Sequence, residues 1–128
     1  MAELGFTGKL VCSISVSNHK ESAKWYMERL GCSMVFEQDD YGMSYLASPV
    51  PNVWLDLSQV ERPEVKGPAL VWGVSSIDSA RADLEQHGVR FDGPTRQLGD
   101  MVKLATFFDP DGNTLMLYEN LSPANPEN

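Results

Sequence analysis

Two histidines, two cysteines and eighteen carboxylates are the side chains of this 128-residue chain that metal ligation or proton transfer could use. A metal site needs about three or more such donors held together with matching hardness. Cys12 and Cys32 make neither a zinc-type cysteine pair nor a disulfide framework. Arg29 is the only cation placed to activate Cys32, so both thiols are expected to be inert. His19 falls at the first turn of one predicted helix and His87 at the last turn of another, so both are expected on an outer helical layer. The chain contains no Ser-His-Asp order and no glycine-rich phosphate loop.

Ten Lys and Arg against eighteen Asp and Glu leave a net charge of −8, with 42% apolar and 22% charged residues. The balance is that of a globular protein rather than a disordered one. It disfavours nucleic acid and anionic membrane surfaces as partners, because both are held by cations. The longest strictly apolar runs, such as Ala69 to Trp72, fall far short of the roughly 20 residues of a membrane span. Met1-Ala2-Glu3-Leu4-Gly5 lacks the basic and apolar regions of a signal peptide. A cytoplasmic location is expected.

The elements that would position any chemistry occur twice. Val16-Ser17-Asn18, Glu21-Ser22-Ala23-Lys24 and Glu28-Arg29-Leu30-Gly31 are echoed by Val74-Ser75-Ser76, Asp78-Ser79-Ala80-Arg81 and Glu85-Gln86-His87-Gly88. Ala23, Glu28 and Gly31 recur at one constant spacing, with a single residue deleted before the second helix. Two copies are too few for a solenoid and describe a duplicated half-chain module. Lys9 to Ser17 alternates as a half-buried strand. Asn18 caps a helix ending at Leu30, with Glu21 at capping-box spacing and Gly31 placed for a left-handed stop. Strands are expected around 33–37, 43–47 and 52–58. The second copy reads as a strand over 69–74, a cap at Ser75 or Ser76, a helix over 77–87, and strands near 90–91, 102–108 and 114–119. Asp109-Pro110-Asp111-Gly112-Asn113 is a strong hairpin signal between the last two.

Two βαβββ copies with Phe-Asp-Pro-Asp-Gly-Asn leading into the last strand resemble the vicinal oxygen chelate superfamily, the glyoxalase/bleomycin-resistance/dioxygenase group. The resemblance covers roughly Gly8 to Leu121. It implies an α+β fold of two tandem βαβββ modules, residues 8–58 and 69–121, whose sheets curl around a cavity with helices outside. These make a single domain over 1–121 with a linker at 59–68 and a flexible tail at 122–128. Metal-dependent members take a ligand from each of four strands, and the matching positions here are Val11, Asp56, Ala69 and Met116. One carboxylate and three apolar side chains do not make a divalent-ion site, so no metal and no cofactor is expected.

On this fold, strand alternation sorts the residues. Cys12, Ile14, Val16, Leu55, Leu57, Leu70, Trp72, Leu115 and Leu117 are expected beneath the helices, with Lys103 off the cavity face. Val11, Ser13, Trp54, Asp56, Ser58, Ala69, Val71, Gly73, Thr114, Met116 and Tyr118 are expected to face the cavity, and the family resemblance implies that Leu104 and Thr106 join them. Gly73 and Ala69 would leave room for a ligand. Tyr41 and Tyr45 read as hairpin surface residues, with a place at the cavity mouth as the alternative. Asp56 is the candidate catalytic residue or partner for a cationic ligand; its alternative is a vestige of the metal site hydrogen-bonded to Ser13 or Ser58. Trp54 would stack an aromatic ligand or attract a cation, or else serve as a sheet residue at a dimer seam. The expected function is metal-free binding of a hydrophobic or aromatic small molecule. The alternative is a glyoxalase-like lyase or isomerase, or a dioxygenase-related enzyme, using Asp56. A homodimer is what the resemblance implies.

Overall fold

The computed structural model describes residues 5–61 and 70–121. The chain divides into two compact units, Met1–Glu64 and Val65–Asn128. Ala69, residues 62–68 of the expected linker and the expected tail lie outside the described residues, while Gln59 belongs to a strand rather than to a linker.

The first unit runs β1 (Leu10–Val16), α1 (His19–Leu30), β2 (Ser33–Gln38), β3 (Met43–Ala47) and β4 (Val53–Gln59). Its sheet has the order β1-β4-β3-β2, with β1 parallel to β4 and the other pairs antiparallel. Asn18 caps α1 by accepting from the N–H groups of Lys20 and Glu21, and Gly31 stops it at φ 77°. Only a residue tolerant of the left-handed region can close a helix this way. A single 3-10 turn at Asp39–Tyr41 joins β2 to β3.

The second unit repeats the plan with β5 (Leu70–Gly73), α2 (Ile77–Gln86), β6 (Arg96–Leu98), β7 (Val102–Phe108) and β8 (Thr114–Asn120), in the order β5-β8-β7-β6. Ser76 caps α2. The expected hairpin joins β7 to β8, held by the buried Asp109, whose carboxylate accepts from the backbone of Asp111 and Asn113. The strand expected near 90–91 is instead one isolated bridge, Phe91 to Phe107, and the edge strand forms later, at Arg96–Leu98. Arg81 accounts for the shift. Its guanidinium donates to Thr95 Oγ1 and to the Gly93 carbonyl, pinning this stretch to α2 as a loop.

Each helix covers one face of its own sheet. Ile14, Val16, Leu46, Leu55 and Leu57 are buried with Ala23 and Tyr26 of α1, and Ala105, Phe107, Leu115 and Leu117 with Ile77 and Leu84 of α2. Truncating one such leucine to alanine costs about 2–5 kcal/mol. Cys12, Leu70 and Trp72 lie on the same helix-side rows but are only half-buried.

His19 departs from expectation. It is buried, its Nδ1 is 2.8 Å from Ser44 Oγ, and its Nε2 is 3.2 Å from Asp39 Oδ1. The first turn of α1 leans over β3, so the ring that helical position alone assigns to solvent becomes a polar pin between helix, sheet and the β2–β3 turn. His87 is exposed, as its position at the end of α2 implied.

Candidate functional site

The face of each sheet opposite its helix carries the residues expected to line a cavity. In the first unit Val11 and Ser13 of β1 lie beside Trp54 and Asp56 of β4. Asp56 pairs with Ser13 on one side and with Tyr45 on the other, and Tyr45 pairs with Phe36 of β2. One cross-strand row therefore reads Phe36, Tyr45, Asp56, Ser13. Directly opposed side chains in such a row sit about 5 Å apart at Cβ. The Phe36 and Tyr45 rings stack with centroids 5.1 Å apart and planes at 23°.

The Asp56 carboxylate is half-buried and oriented by hydroxyls. Ser58 Oγ donates to its Oδ1 at 2.9 Å and Ser13 Oγ to its Oδ2 at 3.4 Å. A carboxylate offers about four acceptor directions, so roughly half remain for another donor. Among the described residues no cation pairs with it. The Lys9 ammonium lies 5.4 Å from the Trp54 ring centroid, within cation–π range.

The second unit brings Val71, Leu104, Thr106, Met116 and Tyr118 onto the corresponding face: Val71 pairs with Met116, Thr106 with Met116, and Leu104 with Tyr118. Gly73 does not leave the expected room. A Cβ there would stand 3.1 Å from Cε1 and Cζ of Tyr118, whose ring already fills the space. Lys103 is on the helix side, 3.4 Å from Asp78 Oδ2. Ala69 is outside the described residues.

Two open-face residues are absent from the set that alternation assigned to the cavity. Tyr45, read as a hairpin surface residue, belongs to the open-face row because Ser44 and Leu46 on either side of it are buried. The alternation in β3 carries that signal. Phe36 was hidden by a register shift between Met34 and Phe36, which breaks the period-two pattern in β2. Tyr41, by contrast, is strongly exposed on the turn.

Of the four metal-ligand positions, the described ones hold a valine, a carboxylate and a methionine thioether. No three His, Cys, Asp or Glu side chains converge among the described residues. A hard or borderline divalent ion wants oxygen and imidazole donors, so this donor set does not fit one. The thiols are no substitute. Burial raises both, Cys32 to about 11, so neither is a thiolate at neutral pH.

A βαβββ unit repeated in tandem, with an apolar open face and one carboxylate, Asp56, in the cross-strand row of its first copy, defines a fold class shared with ligand-binding and catalytic proteins. Residues 10–117 match the family model of the Glyoxalase/Bleomycin resistance protein/Dioxygenase superfamily, and the chain belongs to that superfamily. No curated protein matches it significantly. Among solved structures it is similar to an antibiotic-binding protein from Streptomyces sp. CB03234, at 24% identity and TM-score 0.77, covering 92% of this chain and 99% of that one. A glyoxalase/bleomycin resistance protein from the same Streptomyces is 27% identical with TM-score 0.65, covering 88% and 98%. A fosfomycin resistance protein from Listeria monocytogenes, solved as a mutant with Mn(II) and a dihydroxypropylphosphonic acid, is 11% identical with TM-score 0.75, covering 92% and 94%. The same fold thus occurs in an antibiotic-binding protein and in a protein solved with Mn(II). No helix among the described residues is long and apolar enough to cross a membrane.

Proposed function

We propose that the protein binds a hydrophobic or aromatic small molecule on the open sheet faces and does so without a metal. The observation that carries this reading is the character of those faces. Val11, Phe36 and Val71 remain 49%, 41% and 51% exposed on the sides away from the helices. Trp54, Tyr45, Leu104, Met116 and Tyr118 extend the same surfaces. Apolar surface left open on a sheet and punctuated by few polar groups is what organic ligands use. The solved antibiotic-binding protein supports the reading by precedent for the fold.

Thermal-shift and equilibrium-dialysis screening with aromatic compounds tests it. A binder is expected to raise the melting temperature, because anything that binds only the folded state stabilises it. Trp54→Ala is expected to weaken that binder about tenfold or more. Metal analysis of protein purified without chelators should find no stoichiometric divalent ion. If no compound stabilises the protein, or binding requires added metal, the reading fails.

A further inference from the structure

We infer that the first unit's open face is a cation subsite, and that the ligand is an aromatic molecule bearing a protonated amine or amidine. This rests on the ligand-binding reading above and narrows it to a chemical class. Asp56 is the one charged side chain in the cross-strand row Phe36, Tyr45, Asp56, Ser13, and it keeps unused acceptor directions beside its two serine donors. The stacked pair Phe36–Tyr45 lies on one side of it, and Trp54 lies two residues along the same strand face. A carboxylate set among ring faces attracts an organic cation twice, through charge-assisted hydrogen bonds and through the ring quadrupoles. The same surroundings repel a phosphate or carboxylate ligand.

Lys9 shows the preference within the chain itself, since its ammonium is parked over Trp54. It is an internal occupant of the ring that a ligand cation would use. Removing its charge while keeping an apolar stem therefore removes the internal cation that competes with the ligand for the ring.

The probes are three tricyclic aromatics of matched shape: 9-aminoacridine (cationic at pH 7.5), acridine (neutral there) and anthracene-9-carboxylate (anionic). Fluorescence titration of the full chain is expected to give at least tenfold tighter binding of 9-aminoacridine than of acridine, with the anion weakest. The net charge of −8 attracts cations to the whole surface. The deciding readout is therefore the effect of one residue on the ratio of the first two affinities. Asp56→Asn keeps the side-chain shape and should bring that ratio below about threefold. Lys9→Met, an exposed change that does not threaten folding, should raise it at least twofold. Equal affinity for all three probes, or a cation preference that Asp56→Asn and Lys9→Met both leave intact, would overturn the cation subsite while keeping an aromatic ligand. Failure of every probe to bind removes the ligand-binding reading as well.

Discussion

Gln59 and Glu119 make the same bond in the two units. The side-chain Oε1 of each, near the end of its unit's last strand, accepts the N–H of the first helical residue, from His19 at 3.0 Å and from Ile77 at 2.8 Å. The first N–H groups of a helix have no partner within it, and its N-terminal dipole favours an acceptor, above all a charged one. Each bond therefore ties the last strand of a unit to the start of its helix. Glu119→Ala should lower stability by about 1.5–3 kcal/mol, the range for hydrogen bonds to charged groups. Glu119→Gln should lose less than about 1 kcal/mol, because the first unit already uses glutamine. Urea unfolding with an unchanged m-value checks both. Equal losses from the two variants would show that the charge rather than the bond matters.

Tyr118 occupies the space in front of Gly73, where a Cβ would be 3.1 Å from the ring. That distance demands a shift of the ring, since the backbone on both sides is fixed by β5–β8 pairing. Overpacking of this kind costs about 1–3 kcal/mol, partly offset by the lower unfolded-state entropy of alanine. Gly73→Ala alone should therefore cost about 1 kcal/mol. In a Tyr118→Ala background the same change should become neutral or stabilising. A double-mutant cycle by denaturant unfolding measures the coupling, and a value near zero would refute the contact.

Arg81 holds the 91–95 loop by three contacts and is braced by Glu85 of its own helix. It donates to Thr95 Oγ1 at 3.1 Å and to the Gly93 carbonyl at 2.8 Å, pairs with Glu85 at 3.3 Å and lies 4.5 Å from the Phe91 ring centroid. Its planar fork suits this combination, and an ammonium cannot reproduce it. Arg81→Ala should cost about 2–3 kcal/mol, taking two hydrogen bonds of about 1 kcal/mol each plus the ring contact. Arg81→Lys should recover little of it. Hydrogen exchange at the amide of Asp92, bonded to the Thr106 carbonyl, should accelerate in both variants.

Most of the architecture was legible because local signals agreed with it. Asn18 and Ser76 cap their helices as their spacing implied, Gly31 stops α1, and the 109–113 turn joins β7 to β8. Those signals are short-range and need no tertiary knowledge. What was not legible depended on contacts distant in sequence. His19 is buried because Ser44, Asp39 and Gln59 meet it, and Phe36 reaches the open face only through a register shift. The strand expected at 90–91 gave way to a loop through bonds from Arg81, a helix away. For the site, alternation placed Val11, Ser13, Trp54 and Asp56 on one face of the first sheet, but the aromatic pair beside Asp56 needed the β2–β3 pairing.

Cys32 makes stability depend on alkaline pH. It is 6% exposed, and burial pushes its thiol from 9.0 up to about 11. Between those values the folded chain keeps a proton that the unfolded chain has released, so folding loses stability as pH rises through the window. The contribution is fully present below pH 9 and gone above about 11, on the order of 2–3 kcal/mol at 1.36 kcal/mol per pKa unit. Cys32→Ala removes this titration and leaves every tyrosine and lysine in place. Its unfolding free energy should run parallel to that of the unmodified protein up to about pH 8.5. Above pH 9 it should fall less steeply. The half-buried Cys12, also raised by burial, stays common to both proteins and cancels. In native protein at pH 8 a thiol reagent should modify Cys12 slowly and Cys32 only on unfolding. Identical pH slopes for the two proteins would mean that Cys32 does not carry the effect.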